Sequence, residues 1–152
     1  VTPEGNIIVS GLTIMSGYVA DEENTKKVLK DGKIYSADLG YVDENGLIHL
    51  KGRLGDVINV GGFKVDPSEV ENAASSHESV KDCICIAGTH PVIGTVLKLL
   101  VVLKDGKELD KKSIAIHIKS RLEPHKVPTY YEAVESIQRT YNGKLDRKYY
   151  KK

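Results

Sequence analysis

The sequence predicts an α+β fold: a small β-rich amino-terminal segment followed by a compact α/β sandwich with helices packed on a small sheet. Three observations predict it. Residues 1–52 alternate short apolar runs with glycines, the pattern of short strands joined by tight turns. Helix starts with explicit capping chemistry stand at Asp66 and Asp110. Between and after those helices lie apolar, β-branched runs, so the second part alternates helix, strand pair, helix and strand around one sheet. With 152 residues, 40% of them hydrophobic, the chain can bury a real core as one domain or two small ones.

The elements follow in order. GNIIVSGLTIMSGY predicts short strands and turns, and EENTKKVLKDGKIYS a surface helical turn followed by a Lys-Asp-Gly-Lys turn into a strand. Asp43-Glu44-Asn45-Gly46, between Tyr41-Val42 and Leu47-Ile48, is a hairpin signal, because Asn and Gly tolerate positive φ. GDVINVGGFKV is a second glycine-punctuated run. In DPSEVENAASSH, Asp66 caps, Pro67 suits the first helical position, and Glu69 falls three residues after the cap. Val70, Ala73 and Ala74 supply the apolar stripe. VKDCICIAG and TVLKLLVVLKDG form a strand pair across a loop at Thr89–Gly94. Asp110 starts a second helix in which Ile114, Ile118 and Leu122 share a face. EPHKVP breaks it, YYEAVESI resumes an extended run, and Asp146 caps a final short helix. A boundary is expected near Gly52–Asp56.

Composition excludes several classes. With 22 basic against 21 acidic side chains, net charge +1, there is no electrostatic footprint for nucleic acid or an anionic membrane. The longest nearly apolar run, Val96–Leu103, is interrupted by Lys98 and is far too short to span a bilayer. The opening VTPEGNIIVSG has no secretory signal and no initiator Met and reads as mid-domain sequence, so a piece of a longer, cytoplasmic protein is expected. Cys83 and Cys85 share a strand face and sit too close for an easy disulfide, so they are expected as core thiols. His49, His77, His90, His117 and His125 lack ligand spacing and are expected at the surface or core edge; no metal site is predicted. The motifs of a triphosphate-binding loop, a zinc protease or a serine hydrolase are absent.

Three polar positions draw attention. Asp38 ends an extended run where a carboxylate can accept bonds from a sugar diol. Arg53 opens the glycine-rich connection and can contact a phosphate or ribose. Lys144 is displayed by an Asn-Gly turn. Taken singly, they are also readable as a capping carboxylate, a surface arginine and a solvated hairpin lysine.

Order and spacing across the chain carry more. YSADLGYVDENGLIHLKGR, then GDVINVGGFKVDPSEVE, then RTYNGKLDRK resembles the carboxyl-terminal part of the adenylate-forming superfamily of acyl-CoA synthetases, peptide-synthetase adenylation domains and luciferases. The opening EGNIIVSGLTIMSGYVADEENTKKVLKDGKIYSADLG resembles the tail of that family's large domain. The resemblance implies that residues 1–52 are the distal end of the large adenylation domain. Residues 53–152 are then a mobile lid, with a hinge near Gly55.

It implies an AMP-forming acid–thiol ligase. A carboxylic acid and ATP give an acyl-adenylate, and a thiol, CoA or a carrier protein's pantetheine, then displaces AMP. By the same resemblance, Asp38 holds the ribose hydroxyls, Arg53 reaches the ribose side of the nucleotide, and Lys144 bridges the carboxylate and the α-phosphate. Gly61, Gly62 and Phe63 line the pantetheine channel, or are a plain turn between strands, and Lys64 partners the CoA phosphates. ATP, AMP, CoA and Mg are expected to need the upstream large domain. The chain alone is therefore expected neither to bind them tightly nor to make acyl-adenylate.

This chain departs from the family at several positions. Ser36-Ala37-Asp38 stands where Thr-Gly-Asp is usual, Gly55 where Asp or Lys is common, and Asn59 where some members carry a lysine. Two alternatives stay open: an adenylation module that loads a phosphopantetheine carrier, and a degenerate lid-fold binding module without chemistry.

Overall fold

In the computed structural model, which describes residues 1–151, the chain divides into two units, Val1–Gly55 and Asp56–Lys152. The first holds strand β1 (Asn6–Ser10), helix α1 (Glu22–Val28), and strands β2 (Leu29–Lys30), β3 (Lys33–Val42) and β4 (Ile48–Arg53). Strand β3 is the hub and pairs antiparallel with β1, β2 and β4. The expected helical turn is a full two-turn helix that buries nothing. Asp21 caps it by accepting from the Asn24 amide at 3.1 Å, and Glu22–Lys26 and Glu23–Lys27 pair along its exposed side at 2.7 Å. The hairpin between β3 and β4 closes on Asp43, whose Oδ1 accepts from the amides of Asn45 and Leu47, each at 2.9 Å. Gly40 is obligatory for space: a Cβ there would stand 2.5 Å from the His49 carbonyl oxygen.

The second unit holds β5 (Ile58–Val60), β6 (Phe63–Val65), α2 (Pro67–Ser75), β7 (Val80–His90), β8 (Gly94–Leu103), α3 (Lys111–Lys119), β9 (Tyr130–Ala133) and α4 (Arg147–Tyr150). Strands β5 and β6 form their own hairpin, and the main sheet runs β7-β8-β9. Strand β9 lies parallel to β8 because α3 carries the chain back across the sheet. Asp66 caps α2 through the Ser68 amide and Asp110 caps α3 through the Ser113 amide, each at 2.9 Å.

The two faces of this sheet are covered differently. Cys83, Cys85, Leu97, Leu99, Val101 and Tyr131 pack with Val70, Ala73 and Ala74 of α2 and Ile114 and Ile118 of α3. The opposite face, Ile84, Ile86, Leu100 and Val102, is covered by Val134, Ile137, Leu145 and Tyr150 of the carboxyl-terminal segment. That segment is mostly irregular, so the cover of this face has no periodic signature.

Some boundaries differ from expectation. The β7–β8 ladder continues to His90↔Gly94, leaving only residues 91–93 as the loop, since backbone pairing does not stop where side chains turn polar. The extended run from Tyr130 leaves the sheet after Ala133. His77 is buried, its two ring nitrogens bonded to Ser79 Oγ at 2.8 Å and Ser113 Oγ at 3.0 Å. Cys83 and Cys85 are free, buried thiols.

Candidate functional site

Lys144 sits on a short turn built by hydrogen bonds of its own residues. The Thr140 amide donates to the Lys144 carbonyl at 2.8 Å, and the Gly143 amide to the Thr140 carbonyl at 2.9 Å. Gly143 holds φ at +80°, a conformation that favours glycine. The Thr140 hydroxyl reaches the Asn142 side-chain oxygen. The Lys144 side chain is exposed, and its ammonium forms no ion pair with the described residues.

Both flanks of the turn are tied down. Upstream, Arg139 donates to the Gly143 carbonyl at 3.0 Å and to Asp82 Oδ2 on β7 at 2.6 Å. Downstream, Asp146 caps α4 and sets Arg147 in its first turn. The Arg147 guanidinium grips Glu71 of α2 through two parallel bonds of 2.7 Å, and its Nε lies 3.3 Å from Asp56 Oδ2. Glu71 Oε1 also accepts from the Cys85 amide at 2.8 Å, while Arg147 donates to the Cys85 carbonyl at 3.4 Å. Strand β7 is an edge strand, so this pair satisfies backbone groups where a further strand would otherwise pair. Burial pushes the Glu71 carboxyl above its ordinary value, and the bonds from Arg147 and Cys85 offset that only in part. Burial also opposes the charge on Arg147, but the bond and attraction of Glu71, with Asp56, outweigh it and hold the guanidinium above its ordinary value.

In the first unit, Asp38 and Arg53 face each other across β3 and β4, with Arg53 Nε donating to Asp38 Oδ1 at 2.9 Å. The pair is accessible, 38% exposed at Asp38 and 66% at Arg53. Ser36 Oγ accepts from the Asp38 amide at 3.1 Å, so the serine that precedes Ala37 shapes the strand at the carboxylate. Gly55 lies in a short 3-10 turn, Leu54–Asp56, where a Cβ would meet nothing within 4 Å. Gly61 and Gly62 form the β5–β6 turn with φ of +56° and +93°, and the Gly62 amide donates to Asn59 Oδ1 at 3.0 Å. The glycines there meet a backbone requirement of the turn. Phe63 is half exposed and stacks on His125 at 4.4 Å between ring centroids, and Lys64 beside it is exposed.

Asp38 and Arg53 are thus brought together, as are Asn59 and the glycine turn. Lys144 belongs to the other unit from the Asp38–Arg53 pair. Sequence reasoning missed Glu71, Asp82, Arg139 and Arg147. The one available signal was Glu71, an acid adjoining the apolar stripe of α2. No group of three or more His, Cys, Asp or Glu side chains able to hold a metal ion occurs among the described residues. No helix of the described residues is long and apolar enough to cross a membrane.

Residues 69–144 match the family described as AMP-binding enzyme C-terminal domain. Over 144 residues, 95% of this chain, the sequence is 37% identical to a long-chain-fatty-acid–CoA ligase of Bacillus subtilis (strain 168). It is 37% identical over 142 residues to a feruloyl-CoA synthase of an Amycolatopsis species. The fold matches o-succinylbenzoate CoA synthetase from Bacillus subtilis in complex with its acyl-adenylate intermediate, with a TM-score of 0.89, 27% identity and 97% of this chain covered. The chain spans 26%, 29% and 30% of the lengths of these three proteins. With the capped α/β sandwich and the lysine turn at the end of the matched segment, the chain belongs to the AMP-binding enzyme C-terminal domain family, the carboxyl-terminal part of the adenylate-forming superfamily.

Proposed function

We propose that residues 1–52 are the distal end of a large adenylation domain and residues 53–152 its mobile lid, turning near Gly55, in an ATP-dependent acid–CoA ligase. In the first half-reaction a carboxylate oxygen attacks the α-phosphorus of ATP; the bond to the β-phosphate oxygen breaks and pyrophosphate leaves with the electron pair. In the second, the CoA thiol loses its proton to solvent and its sulfur attacks the acyl carbon. The carbon–oxygen bond then breaks and AMP leaves.

The observation that carries this reading is Lys144, an exposed ammonium without an ion-pair partner among the described residues, on a turn braced from both sides. Attack on ATP brings two anions together, and a positioned cation offsets their repulsion and stabilises charge in the transition state. A counter-ion on the protein would neutralise that effect, so the free ammonium suits the role. Asp38 and Arg53 serve the ribose: Arg53 engages Asp38 Oδ1, which leaves Oδ2 to accept from a ribose hydroxyl. The β5–β6 turn serves the pantetheine arm, with Lys64 near the CoA phosphates. The triphosphate loop, the acyl pocket and the choice of acid belong to residues outside this chain.

Lys144→Ala in the full-length enzyme tests the reading. Acid-dependent ATP–pyrophosphate exchange is expected to fall by ~10²–10³, as for loss of one charge-stabilising group. Thioester formation from supplied acyl-adenylate and CoA is expected to persist. Unchanged exchange would remove Lys144 from the first half-reaction.

A further inference from the structure

We infer that Glu71 and Arg147 are positioning residues for the Lys144 ammonium, acting in adenylation and not in thioester formation; this rests on the ligase reading above. The turn carrying Lys144 is closed by short-range bonds and one antiparallel bridge, Arg139↔Leu145, and its tip is exposed, with Tyr141 fully open to solvent. A lysine stem is long and freely rotating, so the placement of its ammonium depends on how firmly the base of the turn is held. A displacement of about 1 Å can cost on the order of 10² in rate.

Three contacts hold that base. Arg139 links the tip to Asp82, and Ile137 and Leu145 rest on the sheet. The third is Arg147, three residues after Lys144, which grips Glu71 with both terminal nitrogens. This last contact is the bidentate one, two parallel bonds to a single carboxylate. Glu71 lies on the capped helix α2 and is itself bonded to the edge of β7, so its carboxylate is held from two elements. The fork geometry then sets the rotation of the first turn of α4, and with it the exit of the chain from Lys144. Stability alone does not explain the pair, because well-packed apolar residues of similar volume hold such a site as well as a desolvated ion pair does. Arg147 also reaches Asp56, the residue after Gly55, so the brace extends to the start of the second unit.

The test uses Glu71→Gln, Arg147→Lys, Lys144→Ala and the Lys144→Ala/Glu71→Gln double variant of the full-length ligase. The acid is whichever of palmitate, ferulate and benzoate the wild type exchanges fastest. For Glu71→Gln and Arg147→Lys, acid-dependent ATP–pyrophosphate exchange is expected to fall about 10-fold or more, with thioester formation from supplied acyl-adenylate within about two-fold of wild type. If Glu71 acts through Lys144, the double variant matches Lys144→Ala within about two-fold.

In the 152-residue chain, amide exchange at Thr140 and Gly143 is expected to quicken in Glu71→Gln, while the β7 and β8 amides keep their protection. Wild-type adenylation in both brace variants, beside a slow Lys144→Ala, would overturn the inference and leave the ligase reading standing. Equal loss in both half-reactions would also overturn it, because a general structural defect lowers both. An unaffected Lys144→Ala would remove Lys144 from the first half-reaction and this inference with it; a wild type without ATP–pyrophosphate exchange with any carboxylic acid would remove the ligase reading as well.

Discussion

Cys83 and Cys85 behave as the strand period said they would, two small apolar thiols pointing into the core shared by α2 and α3. Burial pushes the Cys83 thiol from 9.0 up to about 11, and pushes Cys85 up in the same sense. The consequence for stability has a definite sign. In the unfolded chain Cys83 ionises near pH 9, while in the folded protein it keeps its proton to about pH 11. Its contribution is therefore fully present below pH 9 and is lost as pH rises toward 11, by ~1.4 kcal/mol per pH unit over that window. Urea unfolding at pH 8, 9, 10 and 11 is expected to show that decline, flatter in Cys83→Ala. A midpoint that stays level across the range would contradict the buried-thiol assignment. Not every residue was legible in this way. His77 carries no period or spacing that announces burial, and it is buried because Ser79 and Ser113 happen to converge on its two nitrogens.

Among the elements, helix starts were the most legible feature. Asp66, Asp110 and Asp146 each cap the helix that their sequence context announces, because a cap needs only its own next few residues. Asp66→Ala is expected to lower the stability of the second unit by about 1 kcal/mol, measured by urea or thermal unfolding, with Asp66→Asn retaining most of it. A loss within error of zero would show that Pro67 and packing against β7 suffice for α2. The β5–β6 turn was legible too, since two successive positive φ values call for Gly61-Gly62 whatever lies around them. Strand ends were less so. The β7–β8 ladder runs on through Thr89 and His90 because hydrogen bonding belongs to the backbone, while the YYEAVESI run pairs with β8 only over Tyr130–Ala133.

For the whole molecule, the distribution of core residues matters most. Among the described residues, every buried hydrophobic residue except Ile7 lies in the second unit, from Ile58 onward. The first unit exposes Leu47, Ile48 and Leu50 on β4 and its hairpin. Burial of apolar area is the main source of local stability, so amides of β7 and β8 are expected to exchange slowest in hydrogen-exchange experiments, and those of β1–β4 much faster. Equal protection in both units would show that something other than apolar burial holds the first one. Much of this architecture was readable beforehand from local signals: strands, caps, turns and a lysine on a glycine tip, each specified by a few neighbouring residues. Charge partners were not. Glu71 and Arg147 meet across 76 positions of sequence, Asp82 and Arg139 across 57, and Arg53 finds Asp38 only because β3 and β4 pair in one register. Such pairings depend on which segments sheet closure brings within about 3 Å of each other. No local periodicity records that, so the lysine could be found in the sequence, while what holds it in place could be found only in the fold.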